Sequence, residues 1–205
     1  MGNVKLGVTL YSFTKEYCEG SMDLEDCIRT AKEMGAEGFE IVATQMVPSY
    51  PYISDTFLGE IRSICDCYDI EPVCYGANMD CGLDIRSANK MGCKVIRQQY
   101  LLSPNGLARI APYAEAYGVK VGIEIHNPET PNSPAMMAYR EAIDKSGSKY
   151  IGFVPDFGCF ATKPNKPHWD EALKNGADLR LLEMARDMRY DAVPMEEAQK
   201  RLKEN

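Results

Sequence analysis

Residues 118–128 read Gly118-Val119-Lys120-Val121-Gly122-Ile123-Glu124-Ile125-His126-Asn127-Pro128. The run from Lys120 to His126 is rich in β-branched residues, and side chains alternate faces along a strand. Val121, Ile123 and Ile125 therefore share one face, while Gly122, Glu124 and His126 share the other. The first face suits a covering helix. The second turns polar toward its C-terminal end.

The same theme extends in both directions. Further β-rich runs are Val4–Ser12, Gly38–Ala43, Ile70–Gly76, Lys94–Gln99 and Tyr150–Asp156. Amphipathic segments alternate with them at Asp23–Met34, Ser54–Tyr68, Leu83–Met91, Asn105–Tyr117, Ser133–Lys145 and Pro167–Arg189, with a further helix over Asp191–Glu204. Gly35, Gly92, Gly118 and Gly147 stand where four of these helices should stop. Alternating strands and helices imply a parallel sheet with right-handed crossovers. Strand centres at Val8, Glu40, Val73, Ile96, Ile123 and Phe153 lie 32, 33, 23, 27 and 30 residues apart. The third unit is thus short.

Parity favours a (β/α)8 TIM-barrel type over a doubly wound sheet. Most runs carry one apolar face and a second face that becomes polar at its C-terminal end, where barrel active sites lie. No run leads into a glycine-rich phosphate loop, which argues against nucleotide-binding folds. A barrel of this type needs about 250 residues. The expectation is one α/β domain over residues 1–205, an incomplete barrel with about six βα units and without the last two strands.

Composition sets further bounds. The 205 residues are 45% hydrophobic and 26% charged, as in ordinary globular proteins, and the net charge is −7. An acidic surface argues against nucleic acid as a partner and against a polybasic membrane role. No apolar run approaches the ~20 residues of a spanning helix. The start, Met1-Gly2-Asn3-Val4-Lys5-Leu6, lacks a signal-peptide core and has Leu6 where a myristoylation signal wants Ser or Thr. A cytoplasmic location is expected. The eight cysteines lack zinc-ribbon spacing and read as reduced, mostly buried thiols.

Gathering the polar strand ends gives a candidate pocket lined by Tyr11, Glu40, Arg97, Gln99, Glu124, His126 and Asp156. Glu124 and Asp156, on neighbouring strands beside an imidazole, suit a hard or borderline divalent cation. The alternative is that both are strand-end residues that cap helices or pair with Arg97 or a lysine. Glu40 and Arg97 likewise divide between substrate contact and an ion pair across the mouth. His168 and Trp169, in Pro167-His168-Trp169, are candidates for a sugar-stacking lid or for plain packing.

Taken in order, these stretches resemble the xylose-isomerase-like TIM-barrel superfamily of sugar phosphate isomerases/epimerases. The resemblance is carried by Lys5–Phe13, Met34–Ile41, Met91–Arg97, Glu124 with His126, and Asp156. It implies a divalent metal, with manganese expected and magnesium or zinc as alternatives, held by a Glu, an Asp, a His and a second Glu from strands five to eight. Glu124 and Asp156 match the first two; the last two have no counterpart before the chain stops. The implied activity is movement of a proton next to a carbonyl of a carbohydrate. Many epimerases of the group carry Asp-x-x-His at strand six, where this sequence has Asp156-Phe157-Gly158-Cys159. Glu-x-His and Pro-Asp-Phe-Gly are more similar to catalytic subunits of C-glycoside deglycosidases, manganese-dependent lyases on 3-keto-glycosides that work with a small β-subunit. In that reading His126 is the base, and Glu124 assists as catalytic residue and metal ligand.

Two other readings compete. A three-zinc nuclease shares the barrel but needs many histidines, and this chain has two. A non-catalytic remnant or binding subunit would retain half a metal site. As an isolated chain, the protein is expected to bind metal weakly and turn over little. A homo-oligomer or a small β-subunit would complete it.

Overall fold

The structure, a computed structural model, describes residues 5–78, 80–99, 102–160 and 164–204. These fall into two compact units, Met1–Pro155 and Asp156–Asn205. The first unit holds a six-stranded parallel sheet of β1 (Gly7–Thr9), β2 (Gly38–Val42), β3 (Glu71–Gly76), β4 (Val95–Gln98), β5 (Lys120–Ile125) and β6 (Ile151–Pro155). The strands neighbour one another in sequence order, and the described residues do not pair β1 with β6 into a closed ring. All six strands predicted from the sequence are present.

Helices separate the strands: α1 (Thr14–Cys18), α2 (Leu24–Glu33), α3 (Ala43–Met46), α4 (Asp55–Tyr68), α5 (Cys81–Met91), α6 (Pro104–Tyr117) and α7 (Pro134–Ser146). Their starts have identifiable causes. Asp23 and Asp26 form a reciprocal capping box on α2. Ser54, Asp80 and Ser103 each accept a backbone N–H in the first turn of α4, α5 and α6. Gly92, Gly118 and Gly147 end α5, α6 and α7 in the left-handed conformation that disfavours a Cβ. One sheet face then packs against apolar helix faces: Phe39, Ile41, Tyr75, Ile96, Val121 and Ile123 are wholly buried, as are Ile28, Ile85 and Leu107. Each such side chain contributes about 1.5–3 kcal/mol by leaving water.

The second unit begins with a 3-10 turn, Phe157–Phe160, and continues through α8 (Lys166–Lys174), α9 (Leu179–Tyr190) and α10 (Met195–Lys203). No described helix is long and apolar enough to cross a membrane.

Several boundaries differ from the sequence expectation. The first run does not remain extended to Ser12. It leaves the sheet after Thr9, whose hydroxyl accepts the Tyr11 N–H and starts a 3-10 turn over Leu10–Phe13. Ala43–Met46 forms a helical turn directly after β2. The helix expected over Pro167–Arg189 is two helices. Asn175 and Gly176, the latter at φ +88°, stop the first, and the Asp178 side chain caps the second by accepting the Arg180 and Leu181 N–H groups. Asp191 closes α9 rather than opening α10. The cysteines form no disulfide among the described residues. Only Cys27, Cys81 and Cys93 are buried, while Cys18 and Cys67 are exposed.

Candidate active site

The polar face of the sheet in the first unit is organised around Arg97. In the strand register Arg97 lies opposite Gly76 on β3 and Gly122 on β5. Register partners share a face, so a long side chain is flanked by two residues with none. The space is needed. A Cβ at Gly76 would stand 3.1 Å from Glu40 Oε1 and 3.2 Å from Arg97 Nη2.

Across that gap the guanidinium reaches two carboxylates. Arg97 Nη2 donates to Glu40 Oε1 at 2.7 Å, and Nε contacts the same carboxylate at 3.0 and 3.2 Å. Arg97 Nη1 donates to Glu124 Oε2 at 2.7 Å. The Thr9 hydroxyl donates to Glu40 Oε1 at 2.9 Å. Burial by itself would raise the Glu40 carboxyl. The Arg97 hydrogen bonds and charge, aided by Cys74 and Thr9, outweigh it and hold Glu40 below the ordinary carboxylate range. Hydrogen bonding to Glu40 raises the Arg97 guanidinium well above its usual value against the opposing effect of burial. Burial first, and the Glu40 charge second, push the Cys74 thiol far up, so it is a neutral donor rather than a nucleophile.

Glu124 is buried near the C-terminal end of β5, 7% exposed. Gln99 Nε2 donates to its Oε2 at 2.5 Å, so both donors converge on one oxygen. Oε1 takes no hydrogen bond from the described residues. His126 follows the last residue of β5, and its Nδ1 lies 3.0 Å from Asn127 O. With the proton on Nδ1, that contact is a hydrogen bond and Nε2 carries the lone pair.

The sequence-predicted residues are therefore only partly assembled in this unit. Glu40, Arg97, Gln99 and Glu124 form one hydrogen-bonded group. Tyr11 is 61% exposed and lies in the 3-10 turn, not on β1 as expected from strand parity. In the second unit, Asp156 Oδ1 accepts the Gly158 N–H at 2.9 Å and Oδ2 accepts from Cys159 Sγ at 3.1 Å. His168 and Trp169 lie in α8, within the expected helical segment, and the Trp169 ring faces the Arg186 guanidinium 5.9 Å from its centroid. Such a cation–π contact supports packing of α8 on α9. Thr9 and Asn78 were not singled out from the sequence. Thr9 stands opposite Glu40 in the register, and Asn78 accepts the Gln99 N–H at 2.8 Å. Neither residue type carries a sequence signal that separates it from an ordinary loop or strand polar residue.

No protein-family profile matches the chain. Among curated proteins, the 3'-dehydrocarminate deglycosidase alpha subunit of Microbacterium sp is 33% identical, the match covering 78% of this chain and 51% of that protein. A C-glycoside deglycosidase alpha subunit of Arthrobacter globiformis is 34% identical over 75% of this chain and 49% of that protein. The chain spans about half the length of the curated relatives it matches. Among solved structures, a xylose isomerase-like TIM-barrel protein of Mycobacterium smegmatis in complex with magnesium aligns with TM-score 0.54 at 12% identity, over 82% of this chain and 69% of that one. The zinc-bound IolI protein aligns with TM-score 0.54 at 18% identity, over 73% of this chain and 62% of that one.

Proposed function

Because the chain has the xylose-isomerase-like TIM-barrel fold and is a sequence relative of C-glycoside deglycosidase alpha subunits, we propose that it is the site-bearing part of a divalent-metal-dependent deglycosidase acting on a keto-glycoside. The observation that carries this reading is Glu124, a buried carboxylate fixed through Oε2 by Arg97 and Gln99 while Oε1 takes no donor from the described residues. An oxygen held in that way suits a hard cation. Glu124 and His126, two apart at the end of β5, would offer oxygen and imidazole donors of the kind that suit manganese, magnesium or zinc. The zinc- and magnesium-bound neighbours support a metal without selecting among these. The resemblance to the barrel superfamily makes Asp156 a further candidate ligand.

The cation, when bound, supplies positive charge to a substrate carbonyl oxygen and so acidifies the adjacent C–H. The rest of the chemistry belongs to the chain. His126 takes the proton next to the ketone. The electron pair left behind forms a carbon–carbon double bond and expels the aglycone from the neighbouring carbon, and the proton taken up by His126 is handed to the departing group so that it leaves as a neutral molecule. Arg97 and Gln99 hold the Glu124 carboxylate in place throughout. Gln99 and Tyr11 are candidates for sugar hydroxyl contacts, and Glu40 and Arg97 for anchoring the mouth. The relatives are named alpha subunits, and a small β-subunit is the partner this reading requires.

The test uses the purified chain with manganese and a 3-keto C-glycoside in deuterated water, with and without a β-subunit. Release of the aglycone supports the reading. Deuterium uptake beside the ketone without release would reassign the site to a sugar isomerase or epimerase. Absence of stoichiometric metal in the wild-type chain, equal to that in Glu124→Ala and Asp156→Ala, would make the chain a binding subunit.

A further inference from the structure

On the opposite face of the sheet from Arg97, β4 places Gln98 against α5. Gln98 and Asp84 are both fully buried, at 0% exposure, and Gln98 Nε2 lies 3.4 Å from Asp84 Oδ2. The Tyr50 phenol stands near the same carboxyl. Tyr50 Oη also accepts the Asn78 N–H at 3.1 Å. Asn78 Oδ1 then accepts the Gln99 N–H at 2.8 Å, and Gln99 Nε2 donates to Glu124 Oε2 at 2.5 Å. Two arms thus meet at one peptide, one from Asp84 and one from Tyr50 through Asn78. One arm grips the side chain of Gln98, the last residue of β4. The other grips the backbone N–H of Gln99, its successor.

We infer that Asp84 is a positioning residue for Glu124, fixing the end of β4 from behind so that Gln99 meets the Glu124 carboxylate at one oxygen. This rests on the role proposed for Glu124. The location favours it over a merely architectural role. Elsewhere the same helix and sheet meet through Ile85, Ala88 and Ile96, all fully buried. An aliphatic side chain at position 84 would join them without the cost of a buried carboxyl. Asp84 Oδ1, Gln98 Oε1 and Tyr75 Oη are buried without a hydrogen-bond partner among the described residues, so the pair is expensive as well as polar. The groups acting on Asp84 are Asp80 and Cys81 at the start of its own helix, Tyr75 on β3, Gln98 on β4 and Tyr50.

The experiment compares wild type, Asp84→Leu, Asp84→Asn and Gln98→Leu. Two readouts are taken: the Gln99 side-chain amide resonances in metal-free protein, and manganese affinity by calorimetry. Asp84→Leu is expected to shift the Gln99 amide to its free position and to weaken manganese binding about tenfold. Asp84→Asn, which keeps an acceptor and a donor, should retain both signals. Unchanged Gln99 resonances in a folded Asp84→Leu protein would overturn the inference. Should Asp84→Leu not fold, Gln98→Leu removes the partner through which Asp84 holds β4, and unchanged Gln99 resonances there overturn it equally. If wild-type protein binds no manganese, the proposed function fails while the Gln99 resonances still decide this inference.

Discussion

Arg97 donates to Glu124 across neighbouring strands at 2.7 Å, and only 18% of the Arg97 side chain and 9% of the Glu124 side chain remain exposed. The same guanidinium holds Glu40. Two largely buried carboxylates therefore depend on one cation. Arg97→Gln should destabilise the fold by about 3 kcal/mol, because an uncompensated buried charge costs more than the pair contributes. Arg97→Lys should recover little of this, since an ammonium cannot match a fork shared between two carboxylates. Urea denaturation of the three proteins measures it.

Glu124→Gln keeps the shape of the side chain and removes its charge. Arg97 retains Glu40, so stability should change by less than about 1 kcal/mol. Manganese affinity should fall by at least about tenfold, because a neutral amide oxygen is a poorer ligand for a hard cation. Titration calorimetry beside thermal unfolding separates the two effects.

Asp84 and Glu40 respond to pH in opposite senses. Burial, with the Asp80 charge adding and the Tyr50 and Gln98 hydrogen bonds opposing, pushes the Asp84 carboxyl up to about 6. Its folded value exceeds its unfolded value of 3.8. The stability associated with its proton is thus fully present below 3.8 and is lost as pH rises through about 6. The loss is on the order of 3 kcal/mol. Glu40 is held below its ordinary value, so its contribution is present at neutral pH and disappears as pH falls below the usual carboxylate range. Asp84→Asn should flatten the stability profile between pH 4 and about 6 and leave the acid limb intact. An unchanged slope in that window counts against a proton on Asp84.

Gly122 lies beneath β6, where a Cβ would stand 2.5 Å from Val154 Cγ2. Valine is stiff at χ1 and cannot swing clear at low cost. Gly122→Ala should therefore cost about 1–3 kcal/mol, as overpacking does. The double variant Gly122→Ala with Val154→Ala should recover most of it, measured by chemical denaturation.

Much of this was legible in the chain. Period-two alternation over Lys120–His126 put Val121, Ile123 and Glu124 on their observed faces, and glycines at 92, 118 and 147 marked true helix ends. The errors arose where a local signal was outvoted. Leu10 and Tyr11 belong to a β-rich run, yet the Thr9 hydroxyl turned the backbone away. Asn175-Gly176 was read through because the apolar spacing continued beyond it, although Gly176 adopts φ +88°. Gln98 and Asp84 carry no such signal, because polar residues 14 apart in sequence give no hint that they are buried together.

By itself, the sequence determined the order of strands and helices, the polarity of each strand face and the identity of Glu124 as the acidic residue at the end of β5. Those features depend on side-chain alternation and capping, which act within a few residues. The tertiary structure decided that Arg97 spans Gly76 and Gly122 to hold carboxylates 57 and 27 residues away, and that Asp84 meets Gln98 behind the sheet. Such pairings exist only once parallel strands lie in register, because the register fixes which distant side chains share a face.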